Sequence, residues 1–508
     1  MNISISGGTF TGKEALSYAN PNKVANPDVT INVTGGTFST DITEALSNAE
    51  VTSNLDDISI VEAGGKFTVG SYVAQAGNTK YTSLEAAFAK AATGDTITLL
   101  ANAKVYSRIN INNGKKLTLD LNGHNITNNG CRVFQIYNDG KLDVTGTGKI
   151  ETTGSYLPFI VQSNITNSEE KIDSVLTIGE NVEVISNDYC AIFYIGNGAV
   201  VNVRGTVNAL GEYAAIQGNG QYSVKDDNNW GRTTLNIYPG AVVTANLTTI
   251  YHPQFGGEVN VTGGVITSKD ACAIEMRAGE LNVSGDAVIE TKATKFEYAS
   301  NNNGSTTRGA AVAAALYQDR IISINISGGT YKGVKALSYE NPNSVVNPDV
   351  TINVTGGTFS TDITDALTNA DVKSNIKEYT VAANADGTYG VKARDEKFEK
   401  VAAVQRNTNN TLTFLAGINY LDYEKAGFRV TVGNNTKEVS TGTVYTKLDN
   451  NGKTSVSVDD FKTNYFFAAD FEVLDTSITE FTITPFAKLL NGEEVTGTET
   501  KVKVGGAE

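Results

Sequence analysis

Residues 1–54 of this chain recur, nearly unchanged, 321 positions further on. The run NPDVTINVTGGTFSTDIT begins at Asn26 and again, letter for letter, at Asn347; ISISGGTFTGKEALSYANPN from Ile3 matches INISGGTYKGVKALSYENPN from Ile324. Self-similarity at this range marks a modular array, whose units complete their cores against neighbours. The chain therefore divides into the terminal coils of one module (1–79), a complete second module (80–395) and a domain of different character (396–508). Because it opens in mid-repeat, it reads as a piece of a longer array. The first strand should then present an open edge of the kind that templates pairing with a neighbouring copy.

A shorter period lies inside the long one. Alternating apolar strands ending in glycine recur as KLDVTGTGKIET from Lys141, VVNVRGTVNAL from Val200, TLNIYPGAVVTA from Thr234, EVNVTGGVITS from Glu258 and ELNVSGDAVIET from Glu280, with LTIGENVEVIS from Leu176 as a weaker member. Apolar residues at every second position predict strands. A second phrase precedes most of them: CRVF at Cys131, CAIF at Cys190, AAIQ at Ala214 and CAIE at Cys272, with 24 residues between positions 190 and 214. About 24 residues hold roughly three short strands with turns at ~3.3 Å per residue. Such a unit cannot bury its own apolar face, but stacked copies can. The fold class is therefore all-β: a right-handed parallel β-helix solenoid in tandem modules.

In that stack Cys131, Cys190, Ala214 and Cys272 fall in one internal column, with the cysteines unpaired. Asn202, Asn236, Asn260, Asn282, Asn325 and Asn353 fall in another, pointing outward or lining a bend as a ladder of amides. The module's start is legible too. Leu84, Ala87, Phe88 and Ala91 have helical spacing, Ser83 is placed as N-cap, and Gly94 ends the segment. A helix there covers the open end of the solenoid ahead of the first strand, Thr96–Leu100.

SLEAAFAKAATGDTITLL followed by LTLDLNGHNIT resembles the N-terminal cap and first coil of pectate-lyase-like β-helix repeats, above all in large cell-surface proteins of Gram-positive gut anaerobes. Modules of that group end in a SGGTFS-type turn, a short helix and a DGTYGV-like strand. Here these are TGGTFSTDITDAL from Thr355 and ADGTYGV from Ala385, with TGGTFSTDITEAL from Thr34 in the first copy. The resemblance covers residues 1–392 and implies an extracellular, surface-exposed solenoid. From Glu396 onward, alternating strands such as LTFLAGI, GFRVTVG and FTITPFAKLL predict an antiparallel β-sandwich, which resembles the immunoglobulin-like domains ending the same proteins.

The net charge of −15 argues against nucleic acid, and no apolar run is long enough to span a membrane. No cofactor or metal is expected: the three cysteines lack metal-ligand spacing, Asp226-Asp227 is the nearest approach to an acidic calcium loop, and His124 and His252 stand alone. An enzyme acting on polysaccharide would need carboxylates at equivalent positions of neighbouring coils. The position three after the cysteine slot instead gives Phe134, Phe193, Gln217 and Glu275, with Tyr251 joining if one coil carries a bulge. One carboxylate in five is no catalytic column.

Phe134, Phe193 and Tyr251, if outward, present rings at coil spacing. Trp230, in the insertion Gly220–Arg232, would lie beside them. These four are the candidate glycan-binding residues; the net charge disfavours acidic glycans. The other long insertion, Lys295–Arg308, reads as polar and mobile. The first expectation is a non-enzymatic extracellular surface protein, an adhesin or stalk component that binds host or cell-wall glycans or a neighbouring copy. Alternatives are a carbohydrate-active β-helix lyase or hydrolase and a phage or filament structural protein. A carboxylate cluster over one sheet would favour the enzyme, and trimeric assembly the fibre.

Overall fold

A computed structural model describes residues 1–164, 171–220, 232–300, 304–376 and 378–393, followed by 398–406, 410–418, 423–441, 444–446, 465–473, 475, 477–490 and 492–503. It is all-β, with long parallel sheets built up coil by coil. By chain contacts it comprises two units, residues 1–351 with 357–372, and residues 352–356 with 373–508.

In the first unit the chain visits three sheets in fixed rotation. Lys116–Asp120 joins sheet I, Ile126–Asn128 sheet II and Phe134–Tyr137 sheet III, before Lys141–Thr145 returns to sheet I. Each return pairs in parallel with the strand one coil earlier, Leu117 opposite Leu142 and Ile126 opposite Ile150. The order persists to Lys335–Glu340 in sheet III and Thr358–Phe359 in sheet II. The weak member from Leu176 is a full coil, contributing Ser174–Ile178 and Val182–Ser186.

Alternation fixes which side chains face inward. Leu142, Leu176, Val201, Leu235, Val259 and Leu281 form one continuous buried column of sheet I. The residue after each points out, and there the amide ladder runs: Asn236 donates to Asn202 at 2.9 Å, Asn260 to Asn236 at 3.2 Å, Asn282 to Asn260 at 3.0 Å and Asn325 to Asn282 at 3.0 Å. Each half-exposed amide thus satisfies the next, for about 1 kcal/mol per bond.

The N-terminal helix forms as expected. It spans Leu84–Lys90, with the Ser83 side chain accepting from the Ala86 amide at 3.2 Å. Leu84, Ala87 and Phe88 are buried, and the Phe88 ring meets Phe134 of the second sheet III strand at 5.4 Å. The aromatic end of the helix therefore closes onto the core of the first coils.

The two copies of the repeat fold alike locally. Asp41 accepts from the Thr43 amide and hydroxyl at 2.8 and 2.6 Å, and Asp362 accepts from Thr364 at the same distances. Both copies end in an antiparallel hairpin, Ile58–Ala63 with Lys66–Ser71 and Tyr379–Ala383 with Tyr389–Ala393. The parallel coils expected to reach residue 392 therefore stop short of it. Asn2–Phe10 lies at the edge of its sheet, paired in parallel with Val29–Phe38.

In the second unit, Phe398–Arg406, Thr411–Ile418, Val444–Thr446 and Tyr465–Glu472 form one antiparallel sheet. Tyr423–Val432, Asn435–Thr441, Glu480–Leu489, Glu494–Thr496 and Thr500–Lys503 form another. Phe414 and Phe467 of the first sheet and Phe428 and Phe481 of the second belong to one buried cluster.

Where sheet III leads back to sheet I lies a buried polar group. The Tyr194 hydroxyl and His252 Nδ1 are 2.6 Å apart, and Gln254 Nε2 donates to the Tyr194 carbonyl at 2.7 Å. Burial holds His252 neutral, with its pKa lowered from 6.5 to about 3. The ring rests on two glycines. A Cβ at Gly257 or Gly279 would sit 2.5 or 2.7 Å from His252 Nε2, so no other residue fits without displacing the ring.

Candidate functional site

The outer face of sheet III carries the candidate site, and strand register decides which residues reach it. Ile160 lies opposite Phe193, Phe193 opposite Gln217, Gln217 opposite Tyr251, and Tyr251 opposite Glu275. Tyr251 joins this column in direct register and needs no bulge.

Phe134 does not belong to it. Its register partners are Phe159 and then Ile192, all fully buried, and its ring stacks on Phe159 at 5.3 Å. The residue of that strand in register with Ile160 and Phe193 is Gln135. Aligning CRVF with CAIF by cysteine places the first strand one residue out of phase, and one residue exchanges the two faces of a strand. Phe134 is therefore core and not a ligand-stacking ring. Trp230, with Asp226 and Asp227, lies outside the described residues.

The same slip corrects the cysteine column. Cys190 and Cys272 each stand two residues before an inward isoleucine, Ile192 or Ile274, whereas Cys131 stands three before Phe134. All three thiols are free; Cys190 and Cys272 are buried and Cys131 is half-exposed. Cys190 packs with Leu157 and Ile160, and Cys272 with Ala310 and Ala313, against residues of the outward column. Burial pushes both thiols up, that of Cys272 to about 12, which makes them poor nucleophiles.

Around Phe193, Gln217 and Tyr251 a groove of about 850 Å³ opens. Residues ahead of the strands supply Tyr189 and Tyr213, whose ring centroids are 4.1 Å apart. Residues beyond the strands supply Pro253, Tyr317, Gln318 and Arg320. Arg320 is held by the carbonyls of Pro253 and Gly220 and by Gln318 Oε1, and its guanidinium lies over the Phe255 ring at 4.9 Å. Arg277, buried, lies over the Tyr317 ring at 4.5 Å and donates to the Ser305 carbonyl at 3.1 Å.

Glu275 also borders the groove but is 1 % exposed. Thr306 donates to one of its oxygens and Thr248, at 3.5 Å, to the other. Burial raises its pKa, with the two threonines and the charge of Arg277 working the other way. Thr306 comes from an insertion that read as mobile. Its described residues instead form an antiparallel hairpin, Glu297–Ser300 with Ser305–Arg308, docked on the sheet. Cys272 Sγ donates to the Thr307 carbonyl at 3.2 Å, and Asn343 Nδ2 to the Ser305 carbonyl at 2.9 Å.

Of the candidates, Phe193 and Tyr251 come together, two coils apart with Gln217 between them. Tyr189 and Tyr213 are not among the sequence candidates, although each directly precedes the cysteine slot, at Cys190 and Ala214. Tyr317, Gln318 and Arg320 carry no repeat signal, because they belong to a segment leading out of sheet III. Among the described residues no group of three or more His, Cys, Asp or Glu side chains is placed to hold a metal ion, and no helix is long and apolar enough to cross a membrane.

No protein-family model matches the chain, and neither curated proteins nor solved structures gave a significant match.

Proposed function

We propose that the protein is a non-enzymatic, extracellular surface component that binds glycans in the groove over sheet III. The observation that carries this reading is the groove's composition. Five aromatic side chains, Tyr189, Phe193, Tyr213, Tyr251 and Tyr317, surround Gln217, Gln318 and Arg320. Aromatic faces offer large contact area at low conformational cost, and amide and guanidinium groups suit sugar hydroxyls. Two carboxyls border the groove: Glu212 is exposed ahead of the strands, whereas Glu275 is buried under threonines and has no carboxylate beside it in its column, where Tyr251 and Ala313 flank it. This favours recognition over hydrolysis, which needs two convergent carboxyls.

In this reading the three parallel sheets close into a right-handed β-helix that acts as a stalk, and the second unit is an immunoglobulin-like sandwich. The surface location rests on the resemblance to pectate-lyase-like repeat proteins of Gram-positive anaerobes, carried by the cap and module-end phrases. A glycan array tests the function. Neutral ligands should bind, and Tyr251→Ala and Phe193→Ala should each weaken binding at least tenfold with unchanged circular dichroism. Binding indifferent to both substitutions would remove the groove from consideration.

A further inference from the structure

The outward column of sheet III changes character along its length. Phe193, Gln217 and Tyr251 are partly exposed, but their immediate register neighbours on either side, Ile160 and Glu275, are not. Ile160 is 5 % exposed, and on the other side Glu275, Ala313 and Ser338 are 1, 0 and 2 % exposed. An open groove following the solenoid axis would keep this column accessible over many coils. Here the open stretch of three coils is interrupted at Ile160 on one side, beyond which Gln135 and Asn110 are accessible again, and by three buried residues in succession on the other.

Both ends are closed by identifiable contacts. Toward the N-terminal coils, Ile160 is buried with Leu157 and Cys190, and Tyr189 and Phe193 pack against that cluster. Toward the C-terminal coils the hairpin sits across the column. Thr306 binds Glu275, Cys272 binds the Thr307 carbonyl, and Arg277 binds the Ser305 carbonyl. Phe296, entering the hairpin, packs on Cys272, Ala310 and Ala313. The buried carboxyl of Glu275 thus serves as an anchor for the wall.

We propose that the groove is a bounded pocket that receives one terminus of a glycan, one or two sugar residues long, and does not accept the interior of a polysaccharide. The inference rests on the glycan reading above and sets its size class. From Phe193 to Tyr251 is two coil steps, about 10 Å at ~4.8 Å each, and each step is close to the length of one sugar unit. The volume of about 850 Å³ falls in the range of small-molecule pockets, roughly 300–1,000 Å³.

The test is calorimetric titration of the full chain with β-1,4-gluco-, β-1,4-manno- and α-1,4-gluco-oligosaccharides of one to six residues. In the series that binds, affinity should change less than twofold from the disaccharide to the hexasaccharide. Blocking the bound terminus with a bulky substituent should cost at least tenfold. An affinity that rises more than threefold per added residue through six, or hexasaccharides that bind equally when blocked at both ends, would overturn the bounded pocket. In that event loss of binding in Tyr251→Ala would still uphold the glycan reading. No binding in any series, together with an empty glycan array, removes both.

Discussion

His252 makes the stack of parallel sheets acid-sensitive in a way that one substitution isolates. In the folded chain the imidazole is fully buried against Tyr194, and its pKa falls from 6.5 to about 3. The unfolded chain binds a proton at His252 below pH 6.5, whereas the folded chain does not until about pH 3. The stabilisation is therefore whole above pH 6.5 and is lost as pH falls from there toward 3. At 1.36 kcal/mol per unit, about 2 kcal/mol should be gone at pH 5 and about 3 kcal/mol at pH 4. Glu275 acts oppositely. Its raised pKa gives stability that is present below its ordinary value and lost as pH rises through the folded one, so it masks part of the His252 effect. The difference between the protein and His252→Gln removes this masking, because Glu275 is common to both. Urea unfolding at pH 7, 6, 5 and 4 should show the wild type losing about 2 kcal/mol more than the variant between pH 7 and 5. Parallel curves, or a His252 ring signal titrating near pH 6.5 in the folded protein, would refute the reasoning.

Two further outcomes follow from the register. Phe134→Ala removes a ring packed between Phe88 and Phe159 and should cost about 3–5 kcal/mol in chemical denaturation, while glycan affinity at the groove stays within twofold; a loss of stability below about 1 kcal/mol would return Phe134 to the surface. Under native conditions iodoacetamide should label Cys131 well ahead of Cys190 and Cys272, which become reactive only in denaturant; equal native labelling of all three, read by mass spectrometry, would contradict their burial.

Some of this protein is written in local pattern. Period-two alternation with an asparagine between paired valines specifies a strand with one dry face, and repetition of that phrase aligns the asparagines into a ladder. The helix Leu84–Lys90 is likewise legible, since its apolar spacing and Ser83 are nearest-neighbour matters. The repeat at residues 26 and 347 carries its own turn chemistry, which is why Asp41 and Asp362 cap the same threonine in both copies.

What the pattern leaves open is phase between coils and the course of the insertions. The cysteine in CRVF stands three residues before the inward Phe134, and that in CAIF two before Ile192. Turn length, which no strand alternation records, decides which ring meets solvent. The groove depends on the same long-range information. Tyr317 and Arg320 reach Phe193 and Tyr251 only because stacked coils lie ~4.8 Å apart while their residues are tens of positions apart in sequence. Glu275 is a lone carboxylate in the sequence. It becomes the anchor of a wall because Thr306 of the hairpin, together with Thr248, has a hydroxyl to offer a buried carboxyl, and burying that carboxyl without them would be costly.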